Sequence, residues 1–421
     1  MTRYFLDRMK AEQLEDASGH RLHEQFMTIA EIGMTKNQGS RRMGYSKEEE
    51  AAKQQVIKWM EEIGMTVRRD GAGNVFGRYP GQNDSKVFMA GSHLDTVPDG
   101  GHFDGVAGVL TALEIATLWH EAGYKPKYSY EVAVFSDEEG SRFNSGLTGS
   151  RAFMGMLTEG EVDKYKDPSG QDFDAVMDAA GLDRTHFLDA EGPDYPIEMY
   201  AEVHIEQARQ LEEKNLPLGI VSGIAGATRT SVVFHGEAGH AGSTPMPGRQ
   251  DALVKASEFI STLPQVAQGI SETAVATVGK INVEPGGVNV IPGEVSLVVD
   301  ARDIDVELQS ALIDAVRNHA ERTVEGSNVT VDVDLTTRIM PIPIQPEVIE
   351  KMEQSFERKG LSPVHLPSGA GHDAMAIGTR HPITMLFVRS IAGISHNPAE
   401  FTHIADIQQG VRVLQDFFEN Y

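Results

Sequence analysis

Four short apolar runs in this chain each lead into a cluster of His, Asp or Glu, and helical stretches separate them. The run Val87-Phe-Met-Ala-Gly-Ser ends at His93, and Tyr130-Glu-Val-Ala-Val-Phe-Ser ends at Asp137, Glu138 and Glu139. Met199-Tyr-Ala-Glu-Val ends at His204, and Ile383–Val388 leads through a Gly-containing loop to Ser395-His-Asn-Pro-Ala-Glu400. Apolar runs of this length read as buried strands. Strands alternating with helices predict an α/β fold, a mixed but mostly parallel sheet with helices on both faces. Helices are expected over residues 3–32, with Leu14, Leu22, Phe26 and Ile29 on one face, and over 46–63. Further ones are expected at Val106–Trp119, Pro346–Arg358 and Ile404–Tyr421.

The texture changes in the middle of the chain. Thr230–His235, Ala274–Val283 and Val288–Val299 read as strands, and helical stretches follow the first and third. From Val306 to Val324, Leu308, Leu312, Val316, Ala320 and Val324 recur every four residues as one apolar stripe. This pattern describes a compact α+β unit. The expected organisation is a catalytic domain in two parts, 1–217 and 333–421, interrupted by an inserted lid or dimerisation domain at 218–332.

Composition removes several function classes. With 37 basic and 62 acidic residues the net charge is −25, and its field repels phosphate backbones. No basic stripe offsets it, so nucleic acid is not an expected partner. There are no cysteines, which excludes disulfides, thiolate nucleophiles and zinc–thiolate or iron–sulfur sites. No apolar run approaches the ~20 residues that span a bilayer, and the first residues lack the apolar core of a secretion signal. A cytoplasmic protein without a membrane partner is expected. Gly71–Gly77 does not fit a dinucleotide-binding pattern and reads as a turn between strands.

Taken singly, each polar cluster is ambiguous. His93 and Asp95 are two residues apart, a spacing that suits a metal-binding histidine oriented by a nearby carboxylate. Equally, Asp104 reads as a helix cap. The acids at 137–139 read as a solvated turn or as a metal ligand beside a proton acceptor. His204 and His396 alone read as structural histidines. Together they offer His, Asp and Glu from four strand ends of an α/β sheet, where ligands usually bind.

In this order, the motifs Gly91–Gly105, Asp137–Gly155, His204–Gln207, Gly236–Met246, Gly286–Pro292, Ser368–Ala374 and Ser395–Glu400 resemble a known family. It is the family of dinuclear-metal amidohydrolases and exopeptidases, and in particular its hydantoinase/carbamoylase branch. That branch contains N-carbamoyl-L-amino-acid hydrolases, allantoate amidohydrolases and β-ureidopropionases. The resemblance covers nearly the whole chain. It implies two divalent metal ions per subunit, Zn, Mn, Co or Ni. One site would be His93, Asp104 and His204; the other Asp104, Glu139 and His396, with Asp104 bridging. Glu138 resembles the general base, and Asp95 supports the ligands from behind. The exopeptidase branch has an acid where His204 stands, which favours the carbamoylases.

The resemblance also assigns the inserted domain. His240 looks like a histidine that reaches a neighbouring subunit's active site, implying a homodimer. Asn289 and Arg302 look like ligands of the substrate α-carboxylate, although Arg302 could instead pair with Asp300 or Asp303. His240 could instead pack locally beside Thr244 and Pro245. Gln207, Gly371 and His372 look like contacts to the amide or ureido end. Two departures, Ala208-Arg209 after Gln207 and Ala227 after Gly226, bear on the substrate rather than the chemistry. The implied reaction is hydrolysis of an N-carbamoyl-L-amino acid to amino acid, ammonia and carbon dioxide. Allantoate, a β-ureido acid or an N-acyl amino acid are alternative substrates, and a silent relative that only binds is the alternative of another class.

Overall fold

The computed structural model describes residues 5–190, 192 and 195–421. Two compact units result, one of Met1–Val221, Ile344–Leu366 and His372–Tyr421, the other of Ser222–Pro343 and Pro367–Gly371.

Seven strands of the main sheet are β1 (Thr66–Arg69), β2 (Val75–Tyr79), β3 (Asn83–His93), β4 (Tyr128–Phe135), β5 (Ile197–Ile205), β6 (Leu218–Ile224) and β7 (Ile383–Val388). Their order in the sheet is β1-β2-β4-β3-β5-β7-β6. The four central strands β4, β3, β5 and β7 are mutually parallel. From Val87 onward in β3, and almost throughout the other three, they are buried, as strands covered on both faces must be. The helix Val106–Ala122 packs on this sheet and buries every residue from Val106 to Trp119 except Leu118, so it is covered on all sides. The register sets His93 beside Phe135 and His204 beside Phe387. Because these strands run in one direction, their C-terminal ends share one edge of the sheet. The loops after them therefore converge there.

Two expectations about elements are corrected. The helix expected over 3–32 is two helices, Phe5–Met9 and Ala17–Glu31. Asp16 causes the second start: its side chain accepts the Gly19 N–H at 2.9 Å, with its own backbone extended. Residues 3 and 4 lie outside the described residues. The strand expected over Val288–Val299 is divided into Val290–Ile291 and Glu294–Asp303, because Pro292 cannot donate to a ladder. Of the turn expected over 71–77, residues 71–74 link β1 and β2, while 75–77 already belong to β2.

The second unit holds a four-stranded antiparallel sheet in the order Thr330–Arg338, Gly226–His235, Glu294–Asp303 and Val275–Glu284. Helices Ala252–Gln268 and Val306–Val324 cover one face, closing a core of Val232, Phe234, Phe259, Val295, Leu297, Leu312 and Val316. The four-residue stripe of the second helix supplies Leu312, Val316 and Ala320 to that core.

Candidate metal centre

His93 is the last residue of β3, and its buried Nδ1 lies 3.0 Å from the Asp95 carbonyl oxygen. The strand stops at His93, so the next residues turn, and the Asp95 carboxylate comes within 3.5 Å of the same nitrogen. That carboxylate also accepts the backbone N–H groups of Glu138 (3.0 Å) and Glu139 (3.2 Å). One buried aspartate thereby fixes the ends of both β3 and β4.

Asp104 does not cap the following helix. Gly105 occupies the cap position, at φ 66°, without a side-chain bond. A Cβ on Gly105 would lie 2.4 Å from the His93 ring, so only glycine fits between them. The freed Asp104 carboxylate faces His204 Nε2 at 3.1 Å, His93 Nε2 at 3.6 Å and His396 Nε2 at 3.7 Å. It accepts hydrogen bonds from Gln207 Nε2 and Ser395 Oγ, both at 2.8 Å. Glu139 reaches His396 Nε2 at 3.1 Å, with His396 held at φ 54°.

Two triads emerge, His93–Asp104–His204 and Asp104–Glu139–His396, each with one ligand atom per residue within 4.8 Å of the others. They share Asp104. Glu138 stands beside them, its carboxylate 3.5 Å from His93 Nε2. A further triad, Glu202–His204–His372, meets the same limit.

The electrostatics are those of a cation site. Burial pushes the Glu138 carboxyl well above its usual range despite nearby His93, and Asp373, Glu139 and Asp95 push it further. Glu139 is raised by burial and by Asp104, with His396 opposing. Burial works against Asp104 ionising, yet His204 and His93 hold it well below the usual range. The hydrogen bond to Glu139 raises His396 to about 9. Burial, then Glu202, lifts Asp373 to about 8. So many buried carboxylates are costly without matching positive charge. His93 Nε2, moreover, is buried with no hydrogen-bond partner. An orphaned imidazole nitrogen facing carboxylate oxygens is the donor set divalent ions take. The residues fit a metal centre.

Of the other expected site residues, Gln207 adjoins Asp104, and the His372 ring lies 4.3 Å from that of His204. His240, Asn289, Arg302 and Gly371 belong to the second unit. There His240 pairs with Val290, and the Asn289 carbonyl accepts the Ala241 N–H at 2.9 Å. His240 Nδ1 accepts the N–H groups of Gly242 and Ser243 at 3.1 Å, leaving the imidazole exposed. Arg302 donates to both Asp300 oxygens, at 2.7 and 3.1 Å, and to the Gly369 carbonyl at 2.7 Å.

Sequence reasoning passed over Glu202, Asp373 and Glu400, three buried acids at this sheet edge. Glu202 accepts from Ser92 Oγ (2.7 Å) and the Ala374 N–H (2.9 Å). Its position inside an apolar strand was the available signal, since a buried carboxylate needs partners.

Known proteins extend this picture. The pattern of Peptidase family M20/M25/M40 matches residues 89–420. The chain is similar to an N-carbamoyl-L-amino acid amidohydrolase of Geobacillus stearothermophilus, 39% identical over 94% of this chain and 97% of that one. It is 33% identical to an allantoate amidohydrolase of Escherichia coli, over 93% of this chain and 95% of the relative. A solved hydantoinase/carbamoylase family amidase of Burkholderia multivorans superposes with a TM-score of 0.88 at 31% identity, covering 97% and 98% of the two chains. With the family pattern spanning β3 to the C-terminal helix, and these relatives matching almost end to end, the chain belongs to Peptidase family M20/M25/M40.

Proposed function

We propose that this chain is a metal-dependent amidohydrolase that cleaves the carbamoyl C–N bond of N-carbamoyl-L-amino acids. One observation carries the reading: two His/Asp/Glu triads sharing Asp104, with a third carboxylate, Glu138, beside them. The similarity to N-carbamoyl-L-amino acid amidohydrolases supports the substrate class. His93, Asp104, His204, Glu139 and His396 would hold two divalent ions, of Zn, Mn, Co or Ni. When bound, such a pair polarises the scissile carbonyl and makes water a better nucleophile at neutral pH.

Glu138 accepts the proton of the attacking water and returns it to the leaving nitrogen. Its proton affinity, raised by burial, suits both transfers. Arg302 and Asn289 bind the substrate α-carboxylate and set its orientation. Gln207, Gly371 and His372 contact the ureido end. The second unit is a lid and dimerisation domain, and the enzyme is a homodimer in which His240 serves the neighbouring subunit's site, donating to the developing oxyanion. The exposure of the His240 imidazole supports that role. The enzyme works in the cytoplasm; a chain without cysteines asks for no oxidising compartment. No described helix is long and apolar enough to cross a membrane.

A second reading keeps the mechanism and changes the substrate to allantoate, supported by the allantoate amidohydrolase relatives. Comparison of kcat/KM for N-carbamoyl amino acids, allantoate, β-ureidopropionate and N-acetyl amino acids, after reconstitution with each metal, separates them. Preference for N-carbamoyl amino acids is expected. Preference for allantoate supports the second reading, and no turnover of any of them contradicts both.

A further inference from the structure

Glu400 is buried, four residues beyond His396, in the loop that follows β7. Its Oε1 accepts the backbone N–H of Phe103 at 2.9 Å and of Asp104 at 3.1 Å. It thus bonds directly to the main chain of the residue that the two triads share. The fit around it is tight. A Cβ on Gly101 would lie 2.1 Å from the Glu400 carboxyl carbon, and one on Gly39 would lie 2.8 Å from Pro398. The rings of Phe103 and Phe401, the residues flanking this contact, meet edge to face with centroids 5.3 Å apart. Phe26 packs against Phe103 in a tilted pair with centroids 4.9 Å apart. On its own loop, the Glu400 N–H donates to the Asn397 carbonyl at 2.9 Å, closing the turn that begins directly after His396.

We infer that Glu400 is a positioning residue that ties the His396 loop to the Asp104 loop, so that both ligand triads keep their geometry around the shared carboxylate. The inference rests on the proposed reading of Asp104 as a bridging ligand. Glu400 itself touches neither substrate nor metal. Its work is to satisfy two adjacent N–H groups that would otherwise be buried without partners, and to carry the position of one loop to the other. A glutamine retains an acceptor oxygen at the same reach. Aspartate, shorter by one methylene, does not reach both amides, and alanine accepts nothing.

The test is Mn²⁺ binding, titrated into metal-free wild type and the Glu400→Ala, Glu400→Asp, Glu400→Gln and Asp104→Ala variants, with far-UV circular dichroism confirming the fold of each. Glu400→Ala and Glu400→Asp should bind Mn²⁺ about 10- to 100-fold more weakly than wild type, as loss of a supporting partner does. Glu400→Gln should stay within about threefold on the same scale. Wild-type affinity in Glu400→Ala overturns the inference. If that variant does not fold, wild-type affinity in Glu400→Asp does so. Weakening in Glu400→Gln equal to that in Glu400→Asp also overturns it, because the charge and not the amide contacts would then matter. Wild-type affinity in Asp104→Ala instead overturns the ligand reading itself, and the inference with it.

Discussion

Glu138 and Glu139 are chain neighbours held by one aspartate, yet their carboxylates face different partners. Glu139 is 3.1 Å from His396, and Glu138 is 3.5 Å from His93. Backbone anchoring through Asp95 keeps that division of labour fixed. Glu138→Gln keeps the shape and removes the proton acceptor. Turnover should fall by roughly 10²–10⁴-fold with metal content unchanged. Activity within about threefold of wild type on that scale would remove Glu138 from the proton transfers. Glu139→Ala should instead lower metal content, measured by atomic emission on dialysed protein. Arg302 pairs with Asp300, a contact that the proposed substrate carboxylate would have to share or displace. Arg302→Ala should raise KM for carboxylate substrates about ten- to hundredfold, from loss of a charge-assisted pair of ~1.5–3 kcal/mol. An equal effect on an analogue lacking the carboxylate would exclude this role.

At the scale of elements, the parallel strands explain why the chemistry was legible. Each apolar run ended in polar residues that an apolar core could not hold, and four such ends on one sheet edge have few alternatives to a shared site. The helix 306–324 was readable from its four-residue apolar stripe, an equally local signal. What stayed hidden depends on contacts distant in sequence. The bond from Glu400 to residues 103 and 104 spans nearly 300 positions, and no spacing rule encodes it. The break before Asp16 was missed because an N-cap inside an amphipathic pattern looks like one more polar residue. Gly105 tests the local geometry. Gly105→Ala combines a left-handed backbone with a contact of 2.4 Å to the His93 ring. It should cost more than ~1 kcal/mol of stability and weaken metal binding. A variant with wild-type melting temperature and metal content would show that the loop has room to shift.

Across the whole molecule, the buried acids at the sheet edge make folding and metal binding interdependent. Chelation should lower Tm, and re-addition of Mn²⁺ at about 100 times Kd should restore roughly 2.7 kcal/mol. An unchanged Tm on chelation would mean that the carboxylates are satisfied without a cation. Assembly carries its own prediction. Inactive Glu138→Gln and inactive His240→Ala subunits, mixed and allowed to exchange, should regain about a quarter of wild-type activity, since each mixed dimer has one whole site. No recovery despite demonstrated exchange would mean that His240 acts within its own chain or not at all.

The central claim is a hydrolytic centre of two ions built on one shared carboxylate, and metal stoichiometry tests it most directly. Mn²⁺ bound per chain should be about two in wild type, about one in His396→Ala and close to none in Asp104→Ala, as ligand loss from one or both sites requires. Asp104→Ala chains that still bind two ions, or wild-type chains that never bind more than one, would contradict it.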